Sequence, residues 1–310
     1  MDYKKIWTEF QLDNELSKII SNLKKYPEKL GDLPELKRYL TSFLNLPGKR
    51  KRLIKMIAFS NLCGGMDKNS RHIINALEYA NAAIFIDDDI IDHDQFRKGR
   101  PTLNKLIGYE KTLLIGNMLF ALSIRELLNL ECDSKIKNEI IKDFLKSLFI
   151  ENTGQYMDLS FRKNFKNKKL KDWEKMVYRH SGAYVISALK AIARINNNPQ
   201  YLSIIEDYEL NCTYAGAAED ALLGFYGNKK PPRDLKEKGF TILVSFAKND
   251  LEIDLNRLKE NIEKSGAIAK TKEYILKKIS LGKKALESLE TSFEKEVLTF
   301  LLEELKEDLN

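Results

Sequence analysis

The stretch FIDDDIIDHD, residues 85–94, concentrates five aspartates at the end of an apolar segment, and RKGRPT, residues 97–102, follows with three basic side chains. On a helix with about 3.6 residues per turn, Asp88 and Asp92 lie on one face and Asp89 lies three residues from Asp92, so all three can point into one cavity. Hard divalent cations prefer such oxygens, and uncompensated carboxylates beside an apolar helix are costly. The pattern therefore predicts a magnesium diphosphate site. The alternative is an acidic helix end on the surface, followed by a basic turn.

Composition and residue spacing both favour an all-α fold. The chain has 310 residues, 43% of them hydrophobic, and its 15 Gly and 7 Pro are few for that length, which favours long helices. Helical spacing recurs upstream of the aspartates, at Ile73, Leu77 and Ile84, and again within residues 286–300. No Asn-Gly turn separates alternating strands, and no linker rich in Gly, Ser and Pro divides the chain. We therefore expect one helical domain over residues 1–310.

Cysteine usage, hydropathy and charge disfavour several classes of protein. Cys63, Cys132 and Cys212 are widely spaced and form no CxxC pair, so we expect reduced thiols in a cytoplasmic protein. No uncharged segment reaches the roughly 20 residues that a bilayer requires, so no integral membrane segment is expected. The net charge of +7 suits an anionic ligand. Nucleic acid is disfavoured as a partner because the basic residues are not interleaved with an aromatic stacking surface.

Several motifs together make the chain resemble the trans-prenyl diphosphate synthases over most of its length. In that family a DDxxD motif is followed by two basic residues and Gly-x-Pro-Thr, and residues 88–102 fit this pattern, with GKRKR upstream at residues 48–52. Further agreement comes from Gly154, Gln155 and Asp158 in a Gly-Gln-x-x-Asp helix and from Asp234, Leu235, Lys238 and Thr241 in a lysine-containing flap. The resemblance implies an all-α, single-domain isoprenoid synthase bundle around a central cavity.

The resemblance also implies a reaction and a role for each motif. An allylic diphosphate loses its leaving group, and the double bond of isopentenyl diphosphate attacks the resulting cation. By resemblance, Asp88, Asp89 and Asp92 bind Mg²⁺, and Arg97 contacts the allylic diphosphate. Isopentenyl diphosphate is expected to bind at Lys49, Arg50 and Lys98, with Gln155 contributing to substrate binding and Lys238 to catalysis.

The second metal motif of the family is altered in this chain. A DDxxD or DDLLGxxGD motif is expected, and residues 220–228 read DALLGFYGN. Asp220 is therefore the expected metal ligand of this motif, and Ala221 occupies the position of the second aspartate. An alternative register pairs Glu219 and Asp220 with the two aspartates, but the first register also matches the following Leu-Leu-Gly.

Other substrate-binding positions of the family are changed as well. A Lys-Thr pair that contacts the allylic diphosphate is replaced by His180 and Ser181, and a histidine that helps to bind isopentenyl diphosphate is replaced by Asn81. A glutamine before the second metal motif is replaced by Ala217. These changes predict weaker binding of the phosphates, although a protonated His180 would still attract diphosphate.

Three functions remain open. The leading expectation is a magnesium-dependent prenyltransferase that makes geranylgeranyl diphosphate or a longer product, because Ala83, Ala80 and Ala76 form an open stripe behind Asp88 while Ile84 narrows the path. Those alanines would equally allow close helix packing. The alternatives are a class I terpene cyclase, and a low-activity partner or regulatory subunit. The resemblance further implies a homodimer, with a heteromer also possible.

Overall fold

A computed structural model describes residues 1–30, 34–162, 164–165, 167–227, 239–247 and 255–309. Contacts group the chain into two compact units, which are described separately. The first unit comprises Met1–Lys142 and Ala191–Asn197, and the second comprises Asp143–Lys190 and Asn198–Asn310. Within the described part of the chain, no helix is both long and apolar enough to cross a membrane. No finding tests the prediction of a single domain, which therefore stays a prediction.

The first unit is built around a long helix that carries the aspartate motif. Its helices are α1 (Tyr3–Glu9), α2 (Leu12–Leu30), α3 (Pro34–Ser42), α4 (Lys51–Leu62), α5 (Lys68–Ile91), α6 (Leu103–Ile107) and α7 (Tyr109–Leu128). Helix α5 begins at an N-cap, where the Asp67 carboxylate accepts a hydrogen bond of 2.7 Å from the Ser70 amide. It packs along α7, and its run of small and apolar residues is buried between Ile73 and Ile86. This burial fixes the position of the carboxylates at its C-terminal end.

A short hairpin follows α5 and was not expected from the sequence. The helix ends at Ile91 with Asp92 as its C-cap, and His93 has a φ of 54°, a left-handed conformation that stops the helix. Strands β1 (Phe96–Arg97) and β2 (Arg100–Pro101) then pair antiparallel. Lys98 and Gly99 join them with φ values of 49° and 78°, as a type I′ turn requires. No signal in the sequence indicated this hairpin, because the turn uses Lys-Gly instead of Asn-Gly and two-residue strands are too short to show alternation.

The second unit is also helical. Its elements are α8 (Ser134–Phe161, of which residues 134–142 belong to the first unit), α9 (Leu170–Val177), a π-helix (Tyr178–Gly182), α10 (Ala183–Ile195, of which residues 191–195 belong to the first unit), α11 (Tyr201–Phe225), α12 (Ile242–Ala247), α13 (Leu255–Lys264), α14 (Ala267–Ala285), α15 (Phe293–Glu303) and a 3₁₀-helix (Glu304–Leu309). Helices α11 and α14 pack closely against each other. The described residues are mainly helical with one two-residue hairpin, so the all-α prediction is confirmed. None of the three cysteines is in a disulfide.

Candidate active site

The three motif carboxylates do not face in one direction. Asp89 is buried, with 4% of its surface exposed. Its Oδ1 accepts a hydrogen bond of 2.7 Å from Nε of Arg97 and forms an ion pair with Nη2, also at 2.7 Å. Nη2 of Arg97 also lies 3.9 Å from Oδ2 of Asp94. Asp88 and Asp92 are partly exposed. Asp89 is rotated by about 100° from Asp88 around the helix axis. Arg97, carried by the hairpin, therefore compensates the charge of Asp89.

This arrangement differs from the expectation that all three carboxylates point into one cavity. Within the described ranges, no group of three His, Cys, Asp or Glu side chains is placed to hold a metal ion. The donor chemistry still fits magnesium, because Asp88 and Asp92 offer carboxylate oxygens four residues apart at the end of a helix. Asp89 would have to leave Arg97 before it could join them. The magnesium site therefore stays a prediction.

Burial leaves the negative charge at this end of α5 incompletely compensated. It raises the pKa of Asp89 to about 6, although Arg97 acts in the opposite direction. Burial also raises the pKa of Asp87 to about 6, and the neighbouring carboxylate of Asp88 adds to the shift. Asp87 lies near α7, since a Cβ atom on Gly116 would be 3.3 Å from its Oδ1. Nothing in the sequence distinguished Asp87 from its neighbours.

A cluster of cations surrounds a buried carboxylate that lies about three turns before Asp88 on α5. Glu78 is 5% exposed; burial raises its pKa, while Arg50, Arg52 and Lys98 lower it. Lys98 reaches solvent and lies directly over Gly48, where a Cβ atom would collide with its Nζ. Partial burial and the neighbouring arginines lower the pKa of Lys98. Three cations around one carboxylate leave a net positive charge, so the cluster is suited to a diphosphate.

Two arginines of this cluster are held in fixed orientations. Arg50 precedes α4 in a left-handed conformation, with a φ of 53°, and its Nη2 donates to the carbonyl oxygens of Leu44 at 2.5 Å and Leu46 at 2.7 Å. The guanidinium carbon of Arg52 lies 5.3 Å from the ring centroid of Phe85. A guanidinium that is already oriented loses less entropy when it binds phosphate.

The structure brings together some of the predicted isopentenyl diphosphate residues and leaves one apart. Arg50 and Lys98 are in the cluster, and Asn81 is buried one turn beyond Glu78. Lys49 is exposed, and its Nζ lies 5.2 Å from the ring centroid of Tyr3. Arg52 and Glu78 were not assigned from the sequence. The only available signals were the position of Arg52 within GKRKR and the occurrence of one acidic residue in an otherwise apolar segment.

The alanine stripe on α5 is closed. Ala76, Ala80 and Ala83 each have no accessible surface, and Ile84 is 4% exposed. A channel wide enough for water would leave accessible surface on its walls. The stripe continues along the helix to Asp87, which faces Gly116 of α7. The expectation that these alanines line an open path was therefore wrong, and they allow close packing of helices instead.

In the second unit, α8 and the π-helix bring Gln155 and His180 close in space. Gln155 is 8% exposed, and its neighbour Gly154 touches the π-helix, where a Cβ atom would overlap the backbone nitrogen of His180. Nε2 of His180 lies 4.0 Å from Oε1 of the buried Glu151. Oγ of Ser181 lies 3.5 Å from Nδ1 of His180. A π-helix often marks a functional position within a helix.

The second metal motif is only partly described. Asp220 is exposed on α11, whereas its neighbours Glu219 and Ala221 are 9% and 7% exposed. The exposed position of Asp220 leaves its carboxylate accessible to a cation, and no finding decides between the two registers. Several residues of the predicted motifs lie outside the described residues: Asn228, Asp234, Leu235 and Lys238.

Comparisons with known proteins extend over most of the chain. A family model described as polyprenyl synthetase matches residues 33–279. The geranylgeranyl diphosphate synthase of Sulfolobus acidocaldarius is 27% identical over 247 residues, which cover 75% of this chain and 73% of that protein. The short chain isoprenyl diphosphate synthase of Methanothermobacter thermautotrophicus is 26% identical over 298 residues, which cover 88% of this chain and 91% of that protein. The crystal structure of geranylgeranyl pyrophosphate synthetase from Pyrococcus horikoshii shares the fold, with a TM-score of 0.85, 20% identity and 99% of both chains covered. Because the family model spans more than half of its length, the chain belongs to the polyprenyl synthetase family.

Proposed function

We propose that the chain is a magnesium-dependent prenyltransferase that condenses isopentenyl diphosphate with an allylic diphosphate. The observation that carries the proposal is the cation cluster of Arg50, Arg52 and Lys98 around Glu78. Glu78 and Asp88 are ten residues apart on α5, which corresponds to about 15 Å along the helix. A condensing enzyme requires two sites for diphosphates, and α5 carries one candidate at each of these positions.

Different residues of the first unit would bind the two substrates of the proposed reaction. Arg50 and Lys98 would bind the diphosphate of isopentenyl diphosphate through charge-assisted hydrogen bonds. Arg97 would turn from Asp89 to the allylic diphosphate, which frees the carboxylate of Asp89. The contact of Arg97 with the allylic diphosphate strengthens as negative charge grows on that leaving group, and such a contact lowers the barrier to ionisation.

Asp88 and Asp92 would hold magnesium, and Asp220 is the candidate ligand of the second metal motif. Bound magnesium supplies positive charge that stabilises the departing diphosphate. The protein must then shield the allylic cation from water until the double bond of isopentenyl diphosphate attacks it. The proton lost after the attack passes to the departing diphosphate.

We propose geranylgeranyl diphosphate or a longer product. The closed alanine stripe removes the structural argument for chain length. This proposal therefore rests on the similar proteins, several of which are named as geranylgeranyl diphosphate or pyrophosphate synthases. We also propose a homodimer in the cytoplasm. Exposed apolar side chains on α8 support the dimer, since Phe149 and Tyr156 are 72% and 73% exposed and lie seven residues apart on one helix face.

Turnover of labelled isopentenyl diphosphate tests the proposed reaction. The purified chain would be incubated with magnesium and geranyl or farnesyl diphosphate, and the dephosphorylated products would be separated by chromatography. The Lys98→Ala variant should lose turnover. The matched control, Lys105→Ala on α6, should keep it. Release of diphosphate from the allylic substrate without consumption of isopentenyl diphosphate would indicate a terpene cyclase instead.

A partner or regulatory subunit is the second candidate. The observation that favours it is the second metal motif, in which Ala221 replaces an aspartate and is buried in α11. In that case the chain alone would neither consume isopentenyl diphosphate nor release diphosphate from the allylic substrate. Addition of a complete prenyl diphosphate synthase would then restore turnover above the level of that enzyme by itself.

A further inference from the structure

A cavity of about 700 Å³ lies in the first unit, on a different side of α5 from Asp88. Helix α5 contributes Ile86 and Asp89 to its wall. These two residues are rotated by about 160° and 100° from Asp88 around the helix axis. Helix α3 and the segment from β2 to α6 provide much of the remaining wall. The volume falls in the range of about 300–1,000 Å³ that is typical of small-molecule sites.

The wall of the cavity is strongly basic. Five cationic residues line it: Lys24, Lys37, Arg38, Arg97 and Arg100. Asp89 is the only acidic residue among its described lining residues, and it is paired with Arg97. Several like charges on one concave surface raise the local concentration of anions. A phosphate group in this cavity would meet guanidinium groups that can donate two hydrogen bonds each.

The same cavity has an apolar part. Phe43, Leu46, Ile86, Leu103 and Leu106 line it. Phe43 stacks on Phe85 with 5.1 Å between the ring centroids, which holds its ring in place. Leu106 is 57% exposed, so a hydrocarbon chain that covered it would remove apolar surface from water. An inorganic anion would use the basic wall alone, whereas an amphipathic anion would use both parts.

The cavity is distinct from the cation cluster proposed to bind isopentenyl diphosphate. Its wall shares Arg97 and Asp89 with the proposed reaction but includes none of Arg50, Arg52, Lys98 and Glu78. We propose that the cavity is a second binding site, which takes a small amphipathic anion with a phosphate head and a short hydrocarbon chain. This inference does not depend on the proposed reaction.

Calorimetric titration of the full chain with geranyl monophosphate tests the site. The titration is made in EDTA, which removes divalent cations and disfavours binding at the aspartate motif. Arg38→Glu reverses the charge of an exposed wall residue, and Lys25→Glu makes the same change in charge at an exposed residue outside the wall. We expect Arg38→Glu to weaken binding by roughly tenfold or more, and Lys25→Glu by less than about twofold. Lys98→Ala should bind the probe as the wild type does.

Three results would overturn the proposal. They are no binding to the wild type, equal effects of the two charge reversals, and loss of binding in Lys98→Ala, which would place the probe in the cation cluster. Leu106→Asp tests the apolar part of the cavity. It should weaken the binding of geranyl monophosphate but not the binding of inorganic phosphate. If inorganic phosphate binds as tightly as geranyl monophosphate, the ligand class is wrong. Circular dichroism of each variant excludes a loss of the fold as the cause.

Discussion

Gly154 in α8 allows the π-helix that carries His180 and Ser181 to pack closely. A Cβ atom at position 154 would overlap the backbone nitrogen of His180, and it would lie 2.7 Å from the Cα of His180 and 2.8 Å from the carbonyl carbon of Arg179. Ordinary contacts begin at 3.4 Å. Relief of the 2.7 Å contact alone therefore requires a movement of about 0.7 Å. We predict that Gly154→Ala displaces the π-helix.

The free energy of unfolding should fall as a result. Overpacking typically costs about 1–3 kcal/mol, and the upper end applies here because the colliding atoms belong to the backbone. Alanine in a helix interior recovers about 0.5–1 kcal/mol relative to glycine. The expected net loss is therefore about 2 kcal/mol. Gly216→Ala on α11 is the matched control, because no atom lies within 4 Å of its Cβ position, and it should be stabilised by about 0.5–1 kcal/mol.

Urea unfolding of both variants measures these changes, which should have opposite signs. Displacement of His180 and Ser181 should also raise KM for the allylic substrate more than KM for isopentenyl diphosphate, a difference that general loss of stability would not produce. If Gly154→Ala were as stable as Gly216→Ala, the close contact between α8 and the π-helix would be refuted. If both KM values rose equally, the assignment of His180 and Ser181 to the allylic site would be wrong.

Four other changes test separate parts of the proposal. The double variant Asp88→Asn with Asp92→Asn should abolish the dependence of diphosphate binding on magnesium, measured by calorimetry. Unchanged metal dependence would show that neither residue belongs to the magnesium site. Burial raises the folded-state pKa of Glu78, so the wild type loses stability as pH rises from about 4.5 through that pKa. In urea unfolding, Glu78→Gln should therefore be more stable than the wild type at about pH 8. This difference should vanish below about pH 4, where Glu78 is protonated in both the folded and the unfolded chain. Ala83→Phe should lower the unfolding midpoint by overpacking a position with no accessible surface, and a stable variant with a shorter product by chromatography would restore the tunnel hypothesis. Ala221→Asp should raise turnover of isopentenyl diphosphate if the altered motif limits catalysis, since a tenfold gain requires only about 1.4 kcal/mol, and unchanged turnover would show that the missing carboxylate is not limiting.

The sequence predicted the fold class and the family because both depend on local patterns. Helical spacing and the scarcity of Gly and Pro are properties of single segments, and the all-α prediction they supported is confirmed. The motifs at residues 48–52 and 88–102 supported the resemblance, which the family model confirms. Arg50 and Lys98 were predicted to share a site, and the structure places both in one cation cluster. The resemblance therefore predicted that these two segments meet.

Features that depend on the contacts between segments were not predicted. Asp89 fits the metal motif by its spacing, but the hairpin directs Arg97 onto it, and the hairpin itself gave no recognisable signal. Glu78 was not predicted because its role depends on Arg50, Arg52 and Lys98, which come from two other segments. Helical periodicity assigned the alanines to a stripe, but it could not predict that the stripe has no accessible surface.

The pairing of Asp89 with Arg97 has a consequence for the order of binding. Both groups are predicted to contact the substrate or its metal, yet in this structure each one satisfies the other at 2.7 Å, with Asp89 buried. A metal ion that approached Asp89 would take from Arg97 its closest carboxylate. A diphosphate that approached Arg97 alone would leave the buried carboxylate of Asp89 unpaired, which is costly. If magnesium and diphosphate arrive together, the ion pair between Asp89 and Arg97 is replaced by two others, Asp89 with the metal and Arg97 with the diphosphate. The geometry therefore favours joint binding of magnesium and diphosphate over binding of either one alone.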